Sequence, residues 1–182
     1  MSTLIHAQKM PEGVVTPGAQ IVAASTQFLT FMLSSDVYAI GILAIKEIIE
    51  YHSLTEVPMM PNCVRGVINL RGAVVPVMDL LALFGRTSSP ITKRSCIVIV
   101  ECEAGSERFV VGIAVDAVNE VLDIAAVDIE PPPSFGTRIR SDYIQGMAKV
   151  KEKFVIVLNV DNVLSPNELA NMQDSLCASV VE

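Results

Sequence analysis

From Gln27 onward, apolar residues fall in short runs broken by polar turns, a spacing that predicts strands and not long helices. Phe28-Leu29-Thr30-Phe31-Met32-Leu33 and Val37-Tyr38-Ala39-Ile40-Gly41-Ile42 flank Ser34-Ser35-Asp36, which reads as a hairpin. Residues 44–50 fit either a brief helical turn or a bent strand. Val57-Pro58 and Pro61 then break regular structure. Residues 66–80 read as two strands around a tight turn at Arg71-Gly72, where Gly72 suits a positive φ. Pro76 removes an amide donor, which predicts an edge strand or a bulge.

The same order then repeats. Residues 96–101 and 109–115 flank a turn over residues 103–107. Ile40-x-Ile42-x-x-Ile45-x-Glu47-Ile48 has its counterpart in Ile113-x-Val115-x-x-Val118-x-Glu120-Val121. Pro131-Pro132-Pro133 stands where Pro58 and Pro61 stood, and Gly146 opens a second hairpin that ends on Val160-Asp161, as the first ends on Met78-Asp79. Two similar β modules in tandem account for this order. The first 25 residues carry scattered Pro, Gly, Ser and Thr and predict a flexible tail. Ser165-Pro166-Asn167-Glu168 has the form of a capping box, and Leu169, Met172, Leu176 and Val180 follow at helical spacing. A C-terminal helix over 165–182 is expected.

Composition narrows the function. The 182 residues are 51% hydrophobic and 18% charged, a globular balance, and no uncharged apolar stretch is long enough to suggest membrane insertion. A net charge of −7, with aromatics at 5% and no Trp, argues against nucleic acid as a partner. The four cysteines form no CxxC pair and read as reduced thiols packed as small hydrophobes, which fits a cytoplasmic chain.

Catalytic chemistry is sparse. His6 lies in the tail, and His52 reads as a solvated imidazole. No metalloprotease motif, phosphate loop or nucleophile elbow occurs, so no enzyme activity, cofactor or metal is expected. Asp116, Glu120, Asp123 and Asp128 fit no calcium-loop spacing and read as a solvated acidic edge. The function should therefore reside in surfaces. Ile42 and Ile45 beside Glu47 are candidate anchors, with a place in the core as the other reading. Arg71 at a hairpin tip offers a planar donor fork, or is a solvated turn residue.

These motifs resemble the CheW family. Residues 38–48 are similar to its Y-G-I-x-I-x-x-V-x-E-I segment, and residues 66–80 match its G-V-I-N-L-R-G-x-I-V-P-V-x-D-L almost throughout. Gly112 to Leu122 and Tyr143-Ile144-Gln145-Gly146 extend the resemblance, which covers residues 27–164. It departs at Gly41, Ala44 and Ile49-Glu50, where the family often carries Asp, Lys and Arg-Gly.

The resemblance implies a mainly β fold of two intertwined five-stranded SH3-like barrels, about 26–90 and 91–164. It also implies a non-catalytic adaptor between the cytoplasmic tip of methyl-accepting chemoreceptors and the regulatory domain of a CheA-type histidine kinase. Such an adaptor would sit in receptor arrays at the inner face of the membrane. A pilus-motility or other non-flagellar pathway is the alternative setting. Matched residue by residue, the receptor groove would involve Ile42, Ile45, Glu47, Gly66, Arg71, Val98 and Val118.

Overall fold

The fold is taken from a computed structural model that describes residues 25–134 and 139–167. The first hairpin is β1 (Ser25–Leu33) with β2 (Asp36–Gly41), turning at Ser34, whose φ is 58°. A single 3-10 turn, Ile42–Ala44, leads into β3 (Ile45–Glu50), so residues 42–50 are part turn and part strand. The second hairpin is β4 (Val64–Leu70) with β5 (Ala73–Met78), followed by one helical turn, α1 (Leu80–Leu83). β6 (Cys96–Ala104) and β7 (Glu107–Val115) form the third hairpin. Its turn is tighter than the expected 103–107 because Gly105 takes φ 64° and Ala104 pairs with Glu107. β8 (Ala117–Ala125), the two-residue β9 (Ile129–Glu130), β10 (Ile144–Val150), β11 (Lys153–Leu158) and α2 (Val160–Val163) complete the described chain. Most of the expected 165–182 helix and almost all of the 1–25 tail lie outside the described residues.

The strands form two sheets. One is six-stranded, in the order β8-β1-β2-β11-β10-β9, and the other five-stranded, in the order β3-β6-β7-β5-β4. Each sheet therefore draws strands from both sides of residue 90, and neither is built from 26–90 or 91–164 alone. Hairpin β1–β2 joins the later strands of the second module, while hairpin β6–β7 joins the later strands of the first.

This reciprocal exchange is the physical meaning of the sequence repeat, and the register is duplicated with it. β5 meets β7 in parallel at Val77–Gly112, as β11 meets β2 at Val157–Ala39. The bulge between Val64 and Gly66 recurs between Ile144 and Gly146. The bulge in β3 between Ile45 and Glu47, where it runs along β6, recurs in β8 between Val118 and Val121, opposite Leu29 to Phe31 of β1. There the buried Thr30 hydroxyl donates to the Glu120 carbonyl at 2.8 Å and accepts from the Glu120 amide at 3.2 Å, taking up groups that the bulge leaves out of the ladder.

Two expectations need correcting. Of the two places expected for Pro76 the edge is excluded, because β5 lies between β7 and β4, while the β4–β5 ladder does carry a bulge beside it, between Val64 and Gly66 opposite Val77–Met78. Pro76 faces Val67, whose amide and carbonyl instead exchange hydrogen bonds with Thr55 at 2.9 and 3.0 Å, so the ladder to β4 needs no donor at Pro76. The second correction concerns the ends of the hairpins. Asp79 and Asn159, and not Asp79 and Asp161, occupy matching places. Each follows its hairpin, each donates its amide across it (to Cys63 O at 2.7 Å and to Tyr143 O at 2.8 Å), and each caps one helical turn.

The core has three parts. Ile68, Val75, Val77, Ile97 and Ile99 fill one sheet, and Phe28, Ala39, Ala148, Val155 and Val157 fill the other. A larger cluster between them takes residues from both modules, among them Phe31, Tyr38, Met78, Leu80, Val98, Ile113, Leu158 and Leu164. An aromatic row runs through it: Phe31 to Tyr38 at 6.2 Å, Tyr38 to Phe84 at 6.0 Å and Phe84 to Tyr143 at 6.2 Å between ring centroids. Cys63 and Cys102 lie buried in the same cluster as thiols.

Candidate functional site

β3 and the tip of hairpin β4–β5 lie in one sheet, and the curl of that sheet brings Arg71 back over Glu47. Arg71 Nη2 donates to Glu47 Oε2 at 3.2 Å. The tip is a two-residue turn with positive φ at Arg71 (52°) and Gly72 (87°), and the Gly72 amide donates to Asn69 Oδ1 at 2.9 Å. Between strand and tip runs an open groove lined by Lys46, Leu70, Val75 and Val110. The Arg71 side chain is 82% exposed and that of Glu47 27%. A surface pair of this kind contributes about 0–1 kcal/mol to stability, so it presents a charged fork more than it holds the fold.

The other residues singled out from the sequence divide by burial. Ile42, Ile45 and Val118 are half-buried and pack against the central cluster, so they belong to the core and the surface together. Val98 does not reach the surface. It is fully buried opposite Ile48, because both faces of β6 are covered, and its part in any site is to support β3 from below. Gly66 is buried with φ +155°, and a Cβ there would stand 2.6 Å from the Thr55 carbonyl oxygen. Its role is to let residue 55 close on β4, and it offers no contact of its own.

Sequence reading passed over several surface features. Leu43 is 94% exposed on the 3-10 turn between Ile42 and Ile45, a place that becomes visible only once the turn is seen to project from the sheet. The supposed acidic edge is divided. Asp116 accepts from the Ser34 amide at 2.6 Å and the Ser89 hydroxyl at 2.8 Å, tying the first turn to the 85–95 loop. Asp123 and Asp128 are exposed. Arg86 reaches from the same loop to Asp36 at 2.9 Å, and that hydrogen bond, set against partial burial, raises the Arg86 pKa. His52 is exposed, its Nδ1 lying 3.0 Å from the Glu50 carbonyl.

At the far end of hairpin β4–β5 from the Arg71 tip, Asp79 is the most buried charged side chain among the described residues. Arg65 Nε donates to its Oδ2 at 2.9 Å, Arg65 Nη2 lies 2.8 Å from the same oxygen, and the Ala82 amide donates to Oδ1 at 3.2 Å. Burial works against the Arg65 charge, but the Tyr51 side chain and Asp79 outweigh it and leave its pKa above the ordinary arginine value. Among the described residues no group of three or more His, Cys, Asp or Glu side chains converges as a metal site would require. No helix among them is long and apolar enough to cross a membrane.

The CheW-like domain family matches residues 27–168. A chemotaxis protein CheW of Klebsiella aerogenes is 33% identical over 144 residues, covering 79% of this chain and 84% of that protein. The chemotaxis protein CheW of Helicobacter pylori is 32% identical over 138 residues, covering 76% of this chain and 81% of that protein. The crystal structure of the scaffolding protein TtCheW from Thermoanaerobacter tengcongensis superposes with a TM-score of 0.70 at 33% identity, covering 80% of this chain and 96% of that one.

Proposed function

The chain belongs to the CheW family of non-catalytic chemotaxis coupling proteins, and from that premise we propose which partners it joins and where. One is the cytoplasmic tip of a methyl-accepting chemoreceptor, and the other is the regulatory domain of a CheA-type histidine kinase. The protein works in receptor arrays at the inner face of the membrane. The receptor site is built around Glu47 and Arg71, whose groove has Leu70, Val75 and Val110 as its apolar lining. Ile42, Ile45 and Val118 contribute apolar area outside that groove, and Gly66 and Val98 shape the sheet.

The observation that carries this reading is the Glu47–Arg71 pair. A mostly exposed guanidinium is held on a rigid turn beside a groove with apolar walls, yet folding gains little from it. Such a fork orients a polar or acidic partner group, while the half-buried isoleucines supply apolar area.

Arg71→Ala tests it. Co-sedimentation with receptor-containing membranes and the kinase should weaken by tenfold or more, the loss of one well-placed interface anchor. The urea midpoint should stay within the effect of losing an exposed ion pair. Undiminished receptor association, or a loss of binding that merely follows unfolding, would sink the assignment.

A further inference from the structure

The reciprocal exchange duplicates more than the core. Val110, Leu70 and Val75 line the Glu47–Arg71 groove. The repeat carries them onto Val37, Val150 and Val155, and all three line a second groove on the other sheet. Glu47 and Arg71 become Glu120 and Lys151, which form an ion pair of the same kind at 3.7 Å. Exposed apolar side chains are duplicated as well. Ile48 (43% exposed) matches Val121 (47%), and Val74 (73%) matches Phe154 (59%).

Folding explains only part of this. A β module repeats its inward residues because each copy must fill its own interior. It gains nothing from repeating an exposed apolar side chain or a solvent-facing ion pair, and exposed apolar side chains gathered beside a groove, unlike single scattered ones, mark contact sites. The surface has kept the symmetry where stability does not require it.

We infer that the groove around Glu120, Lys151 and Phe154 is a second docking site, for an amphipathic α-helix from the same receptor tip that is assigned to the first groove. This rests on the reading of the first groove given above. The floor of the second groove is apolar and adaptable, with Met32, Leu122, Met147 and Ile156. Its rims differ in sign: Lys151 and Lys153 stand on one side, Asp36 and Glu120 on the other. Where the first groove has Lys46 and Ala73, the second has Asn119 and Lys153, so its positive charge gathers at the hairpin tip. The helix that fits lays an apolar ridge along the methionines and turns acidic residues toward Lys151 and Lys153.

Calorimetric titration of the full chain with a soluble receptor cytoplasmic hairpin fragment tests this. The wild type should bind at two sites. Lys151→Glu with Lys153→Glu should leave one site and weaken the other at least tenfold, while Arg71→Ala should remove the complementary one. Chemical-shift mapping on the wild-type protein should show Phe154 and Met147 among the perturbed residues, which guards against a misfolded variant. A single site, lost in Arg71→Ala and unmoved by the lysine reversals, overturns the second groove and leaves the first intact. No binding at any ratio overturns both.

Discussion

Removal of the Asp79 carboxylate should be among the most damaging single changes in this protein, and the repeat supplies its own control. Asp79→Ala leaves Arg65, whose side chain is 18% exposed, without its ionic partner, and it strips the cap from the Ala82 amide. Breaking a buried pair from one side costs about 3–5 kcal/mol, and partial exposure of Arg65 points to the lower end. Loss of the cap adds about 1 kcal/mol, so a total near 4 kcal/mol is expected. Asp79→Asn keeps the cap and a neutral acceptor, and should cost about 1.5–3 kcal/mol. The other module has Gln145 and Asn159 at these two positions, and there Asn159 Oδ1 accepts from the Asn162 amide at 3.3 Å with no charge involved. Arg65→Gln combined with Asp79→Asn should therefore cost about 1 kcal/mol or less, since both charges leave together. Urea unfolding at a common m-value reads all of these differences. If Asp79→Ala falls within about 1 kcal/mol of wild type, or if the double variant is no better than the sum of its singles, the buried-pair account is wrong.

Two further outcomes are specific to named residues. Glu152 takes φ 66° at the second hairpin tip, where the first hairpin has Gly72 at 87°. Glu152→Gly should stabilise by about 0.5–1 kcal/mol because a left-handed L residue is relieved there, and a lower melting temperature would refute this. Burial, with Asp161 and Glu101 nearby, pushes the Cys102 thiol up from 9.0 to about 12. The unfolded chain then releases that proton first, so it binds fewer protons above pH 9 and stability falls with rising pH, by up to about 1.4 kcal/mol per unit between pH 9 and 12. At pH 7 both states hold the proton and the term vanishes. Cys102→Ala should flatten the slope between pH 9 and 10, and an unchanged slope would count against the burial account.

Much of this architecture is legible in the residues. Period and turn chemistry expose the hairpins, and the match of Ile40–Ile48 with Ile113–Val121 exposes the duplication, because both copies obey the same burial rule. Partner choice among strands is less visible. Nothing local in β3 says that it pairs with β6 across the modules, since that pairing is decided by which apolar face finds cover. Letter matching also misplaced a boundary: Asp161 resembles Asp79, but the shared task of capping and closing the hairpin falls to Asn159. At the candidate site, Glu47 is legible beside Ile42 and Ile45, and Arg71 separately at a hairpin tip. Their ion pair depends on sheet curl and is not. Val98 carries the same letters whether it faces a partner or the core, and only the covered far face of β6 decides it.

The exchange of hairpins bears on why this fold suits a coupler. Each groove combines residues from both modules: Val110 of β7 lies beside Arg71 of the first module, and Val37 of β2 beside Lys151 of the second. Neither groove can be assembled without strands from the other half of the chain, and the aromatic row from Phe31 to Tyr143 packs between the two sheets. A close-packed shared core resists small relative shifts, because each lost contact leaves its neighbours unfilled. The angle between the two grooves is thereby set by the core and not by a linker. A coupling protein gains from such a fixed relation between its surfaces, and two barrels joined only by a flexible connection would not provide it.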